Sequence, residues 1–133
     1  MSAQVINPWT WQEQYGFVHG NVVPADARTV YVAGQAAVDG EGNPILAGDM
    51  VAQVDASLDN IEAVLREAGM TLANVVRLNI YTTDVDAFFG AHPTLVKRLD
   101  AAGCKPASTL LGVARLAFPE MLVELGRPRP PER

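Results

Sequence analysis

Between Asp49 and Ala68 apolar residues return at alternating spacings of three and four, at Val51, Val54, Leu58, Ile61, Leu65 and Ala68. That period lays them along one stripe of an α-helix. Asp49 can cap its start and Gly69 its end. Gln53, Asp55, Asp59, Glu62 and Arg66 fall off the stripe, and Glu62 with Arg66 forms an i,i+4 pair. The pattern predicts a helix that packs one face against a sheet. A second helical region, Asp84 to Leu99, is interrupted by Gly90 and Pro93. It predicts a short turn ending near Gly90 and a fresh helix from Pro93, with His92 at or beside its N-cap.

Period-two segments surround these helices. Val75 to Thr82 alternates, with Val76, Leu78 and Ile80 on one face and Arg77, Asn79 and Tyr81 on the other. Thr29-Val30-Tyr31-Val32-Ala33 is β-branched and aromatic, Thr109 to Val113 and Met121 to Leu125 are apolar and extended, and Phe17 to Val23 is a weaker candidate. Asp39-Gly40-Glu41-Gly42-Asn43-Pro44 reads as a turn. Strands, helix, strand, helix, strands is an α+β order, with both helices expected on one face of a single mixed sheet.

Composition bounds the rest. A chain of 133 residues, 49% hydrophobic, holds one core, expected over residues 1–126, followed by a tail at 127–133 whose three prolines cannot donate ladder hydrogen bonds. The net charge of -5 argues against nucleic acid or an anionic membrane surface as partner, since both require clustered Lys and Arg. A small molecule or further copies of the chain are the expected partners. Cys104 stands alone, so no intrachain disulfide can form, and the short apolar runs provide neither a membrane span nor a secretory signal. A soluble, cytoplasmic protein is the default expectation.

Glu124 is the sharpest candidate for chemistry. In an extended segment Met121, Val123 and Leu125 point one way, towards the helices, and Leu122 and Glu124 the other. A carboxylate there either faces water, pairs with a base, or belongs to a site. His92, if it caps the helix begun by Pro93, would be kept neutral by the positive end of the helix dipole, ready to give or take a proton; the alternative is a plain surface cap. His19 reads as structural or solvent-exposed, and two distant histidines make no metal site. Gly34 and Gln35 follow a predicted strand, where glycine permits close approach and the amide can hydrogen-bond. Ser108 and Thr109 supply hydroxyls at a strand start, Cys104 a thiol in a loop, and Asn79 and Tyr81 a polar face that can line a cleft or an intersubunit surface.

These pieces, in order, resemble the RidA (reactive intermediate deaminase) family. The likeness runs through Val30-Tyr31-Val32-Ala33-Gly34-Gln35, Gly48-Asp49, Ser57-Leu58-Asp59-Asn60-Ile61, Leu65-Arg66-Glu67-Ala68-Gly69 and Tyr81-Thr82-Thr83-Asp84, and ends with Pro106 to Leu125. The resemblance implies a chorismate-mutase-like α+β fold and a homotrimer with clefts between subunits. It also implies cofactor-independent hydrolysis of small imines and enamines. Position by position, it makes Glu124 the acidic site residue and Gly34 the cleft glycine, and it puts Phe17 where a tyrosine is usual. Three positions depart: Ser108 stands in place of the substrate-binding arginine, Ala33 of a frequent serine and His92 of a frequent asparagine.

A serine offers one neutral hydroxyl where arginine offers a charged fork, a loss of about 2 to 5 kcal/mol of carboxylate binding in a desolvated site. Two functions follow from this. One is a RidA-like hydrolase or deaminase for a small imine, enamine or amide less anionic than 2-aminoacrylate, with Glu124 and His92 catalytic and Phe17, Ala33, Gly34, Gln35, Ser108 and Thr109 binding substrate. The other is a trimeric module that binds a metabolite or partner without chemistry. Some relatives carry a ribonuclease or translation-inhibitor reading, which the acidic balance of this chain disfavours.

Overall fold

The computed structural model of the chain describes residues 3–126, so the tail expected at 127–133 lies outside the described residues. The long amphipathic stretch forms helix α1, Met50–Glu67, with Asp49 in extended geometry and its carboxylate accepting from the Ala52 N–H at 3.0 Å. Gly69, at φ 72°, closes it: the Gly69 and Met70 N–H groups reach back to Arg66 and Leu65 carbonyls at 3.0 and 2.9 Å. The buried stripe is Met50, Val54, Leu58, Ile61 and Leu65. It starts one residue earlier than the spacing predicts, leaving Val51 44% exposed.

Gln53 was expected on the outer face and is instead fully buried. The reason is a set of long-range partners. Its Nε2 donates to the carbonyls of Leu46 (3.1 Å) and Glu120 (2.9 Å), and its Oε1 accepts from the Leu122 N–H at 2.8 Å. A single amide thereby ties α1 to the chain entering the last strand, β5, Val123–Gly126.

The second helical region is one helix, α2, Val85–Ala102, with Pro93 inside it. The expected break near Gly90 does not occur, and His92 is a mid-helix residue and not an N-cap. Proline removes one helical N–H donor and costs about 3 kcal/mol. Continuity keeps Phe88, Ala91, Leu95 and Leu99 on one buried stripe, and each large apolar side chain contributes about 1.5–3 kcal/mol. Burial prevails. Arg98 then clamps α2 onto α1, donating to the Asp55 carbonyl and to Asp59 Oδ1, each at 2.9 Å, and to the Glu62 carboxylate. Glu62 therefore pairs across the helices and not with Arg66.

Strands β3, Arg77–Thr82, and β4, Ala107–Gly112, complete the main sheet in the order β4-β3-β5, with β3 parallel to β4 and antiparallel to β5. Leu78, Ile80, Val123 and Leu125 join the helices in the hydrophobic core. Arg77, Asn79, Tyr81 and Glu124 lie on the opposite face, as the alternation predicts. The mixed α+β fold with two helices on one face is the architecture anticipated. Among the described residues no helix is long and apolar enough to cross a membrane.

The N-terminal part is less regular. A small antiparallel pair joins β1, Gln4–Ile6, to β2, Gly20–Val22, and Val18 bridges to Ala107 at the edge of β4. Among the described residues no strand is assigned at Thr29 to Ala33, where one was expected: the chain meets β5 where Gln35 pairs with Leu125, and β5 as described ends at Gly126, short of the positions opposite that run.

Gln53→Leu keeps the helix and strands their bulk but leaves two carbonyls and one N–H unpaired. It should lower stability by about 3 kcal/mol and Tm by roughly 10 °C, read by thermal and urea unfolding. A change below about 1 kcal/mol would mean that water replaces the amide.

Candidate functional site

Parallel pairing of β3 with β4 sets Leu78 beside Ser108 and Ile80 beside Leu110, so Ser108 shares the face that carries the helices. At that edge α2, the sheet and the N-terminal arm enclose a cavity of about 550 Å³. Trp11, Tyr15, Gly16 and Phe17 form one wall; Phe88, Phe89, His92, Leu95 and Leu99 of α2 form another. Leu78, Ile80, Pro106, Ser108 and Leu110 make the floor, and no lining residue carries a formal charge apart from the titratable His92.

The arm is held there by local chemistry. Gly16 takes φ 77° and accepts the turn geometry after Glu13–Tyr15, while a Cβ at that position would sit 3.1 Å from Val96 of α2. The positive φ favours glycine here, and a side chain would also crowd Val96. Val18 N–H donates to the Pro106 carbonyl at 2.9 Å. His19, read from sequence as structural or exposed, is the hub of an aromatic cluster, with Trp9 and Trp11 each 5.1 Å and Phe17 5.7 Å away in edge-to-face contact. Its Nε2 lies 3.0 Å from Oε1 of the fully buried Gln12, which can only accept, so the ring hydrogen sits on Nε2.

His92 stands among Tyr15, Phe88 and Phe89, with ring centroids 5.8–6.2 Å apart. Burial pushes its pKa below the ordinary 6.5, with a Tyr15 backbone hydrogen bond opposing that shift. The ring is neutral at pH 7, the state expected from sequence but for a different reason: desolvation and not a helix dipole. The Cys104 thiol is buried and its pKa is pushed up to about 12 by that burial, which leaves it inert.

The far face of the sheet has a different character. Arg77 donates to the Thr109 hydroxyl, Asn79 Nδ2 donates to the Tyr81 hydroxyl at 3.2 Å, and Asn79 Oδ1 is buried with no partner among the described residues. Glu124 lies across the ladder from Tyr81. Its carboxylate rests on Gly34: a Cβ built there would be 2.5 Å from Glu124 Oε2. A Cβ built on Gly126 would likewise fall 2.9 Å from the Gly34 Cα. Gln35 is fastened to Leu125 by both backbone hydrogen bonds, at 2.7 and 2.9 Å, and its side chain donates to the Ala33 carbonyl at 3.2 Å.

The residues singled out from sequence therefore fall into two groups. Phe17, His92 and Ser108 meet in the cavity, while Thr109 and Glu124 lie on the other face with Gly34 against the Glu124 carboxylate; Ala33 and Gln35 flank Gly34 in the segment that meets β5 at Leu125. Within one chain the sheet stands between His92 and Glu124. Trp11, Tyr15, Phe88 and Phe89 were not anticipated as cavity residues. Both tryptophans fall between residues 9 and 11, close to Tyr15 and Phe17, and that aromatic density was the available signal.

Residues 15–126 match the family described as Endoribonuclease L-PSP. A RutC family protein of Pyrococcus abyssi is 32% identical over 96 residues, 72% of this chain and 73% of its own. A goat (Capra hircus) 2-iminobutanoate/2-iminopropanoate deaminase is 31% identical over 61 residues, 46% of this chain and 44% of its own. The crystal structure of a Rid family protein of unknown function from Yersinia pestis superposes with a TM-score of 0.83 at 34% identity, covering 94% of this chain and 96% of that one.

Because the folded His92 pKa lies below its unfolded value, the unfolded chain takes up the proton first as pH falls. The contribution of the neutral ring is full above about pH 6.5 and is lost as pH drops towards the folded pKa. His92→Gln should flatten the change in urea midpoint between about pH 7.5 and about pH 5.5 relative to the parent. Parallel pH profiles for the two proteins would show that His92 is not protected from protonation.

Proposed function

From the premise that this chain belongs to the RidA family, to which the RutC and endoribonuclease L-PSP proteins also belong, we propose a cofactor-independent hydrolase that deaminates a small imine or enamine, or cleaves an amide. The single observation that carries the reading is the seat of Glu124, whose carboxylate is held on Gly34, away from the helices and out of the core. The deaminase name of the goat relative supports the imine class. The separation of the two residue groups by the sheet supports a cleft between copies, in which the cavity of one protomer meets the Glu124 face of the next. In a homotrimer three such clefts would arise.

Hydrolysis of an imine needs water to add to the C=N carbon and a proton to reach nitrogen, after which ammonia leaves and a carbonyl remains. Glu124 takes the proton from the attacking water and returns it to the leaving nitrogen. Neutral His92 donates a hydrogen bond to, or exchanges a proton with, the same intermediate. Phe17, Ala33, Gly34, Gln35, Ser108 and Thr109 bind and orient the substrate. Ser108 and the absence of Lys or Arg from the cavity lining make 2-aminoacrylate a poor substrate, because its carboxylate would lack a cationic partner.

Glu124→Gln should reduce ammonia release from imine substrates by about 100-fold or more, with Tm and oligomeric state unchanged. Gly34→Ala should do likewise, since the new methyl displaces the flexible carboxylate without strain in φ. Full activity in Glu124→Gln would overturn the assignment, and a ligand that stabilises the protein yet returns unaltered would identify a binding module instead.

A further inference from the structure

We infer that the cavity beside Ser108 and His92 takes an electrically neutral ligand with a flat aromatic body, its hydrogen-bonding head turned to those two side chains. The inference deepens the proposed function and rests on it only for the identity of the site. Its first support is charge. An anion buried against this lining meets no guanidinium or ammonium, and an unpaired carboxylate in such surroundings is strongly disfavoured. A hydroxyl and a neutral imidazole can instead satisfy an amide, imine or similar uncharged head.

The second support is size. A volume of about 550 Å³ lies well inside the range that encloses ring-bearing organic ligands, and a three-carbon imine would leave most of it unfilled. The third is the character of the walls. Trp11, Tyr15 and Phe89 line the cavity while remaining 56, 42 and 49% exposed. Large aromatic surfaces left open at a cavity offer stacking and edge-to-face contact to a ring. Trp11 is also braced by His19 and Phe17, at 5.1 and 5.9 Å, so the wall is set before a ligand arrives.

Calorimetric titration with phenylacetamide, phenylacetate and acetamide separates the elements of this claim. Phenylacetamide should bind about tenfold or more tightly than either of the others, the carboxylate failing for charge and acetamide for want of a ring. It should also perturb tryptophan fluorescence. Trp11→Ala and Phe89→Ala should each weaken the amide while leaving acetamide unaffected, and Ser108→Arg should reverse the preference towards phenylacetate.

Equal or tighter binding of phenylacetate to the unaltered protein, equal binding of acetamide, or no binding of any of the three would overturn the inference. So would loss of oligomers in Trp11→Ala and Phe89→Ala with amide affinity intact, which would assign the aromatic wall to a second copy. The titrations run equally well on Glu124→Gln. Tight amide binding without imine turnover in the parent protein would sink the hydrolase reading and leave this one standing, whereas turnover without amide preference would do the reverse.

Discussion

A slip of one residue between β3 and β5 would drive Glu124 into the hydrophobic core and turn Val123 and Leu125 outward. The register is held by what such a slip would bury and expose. Val123 and Leu125 are completely enclosed beneath α1, and a carboxylate in their place would have no partner. Gln53 reinforces the same register from the helix side, since its amide grips the chain at Glu120 and Leu122, immediately before β5 begins. From this one alignment follow the seat of Glu124 on Gly34 and the fastening of Gln35 to Leu125.

The other ladder, β3 with β4, works in the opposite sense. Setting Ser108 level with Leu78 turns it towards the helices, into surroundings of aromatic rings and neutral groups, while Thr109 next to it turns to the polar face and accepts from Arg77. The two halves of the candidate site thus differ in character: an uncharged, ring-lined cavity on one side of the sheet and a polar face bearing both Arg77 and Glu124 on the other. Ser108 is consistent with its setting. A neutral hydroxyl suits an apolar cavity in which a guanidinium would need its own counter-ion.

Much of the architecture was legible from local pattern. The cap at Asp49, the stop at Gly69 and the alternation of β3 and β5 depend on residues within a few positions of one another, and all are as the pattern predicts. The failures share a cause. Pro93 reads as a break because the penalty is local, whereas the burial of Phe88, Leu95 and Leu99 that outweighs it is supplied by α1 and the sheet. Gln53 reads as surface because its three partners lie 7, 67 and 69 residues away.

The candidate site divides in the same way. The outward direction of Glu124 and the α+β order of the chain can be read from the residues, because period and side-chain chemistry are local properties. Packing between distant segments decides that Ser108 and Glu124 lie on opposite faces of one sheet, that burial among aromatic rings lowers the His92 pKa, and that Trp11 and Tyr15 line the same cavity as His92. Those outcomes depend on which distant segments pack together, and no local pattern encodes the partner.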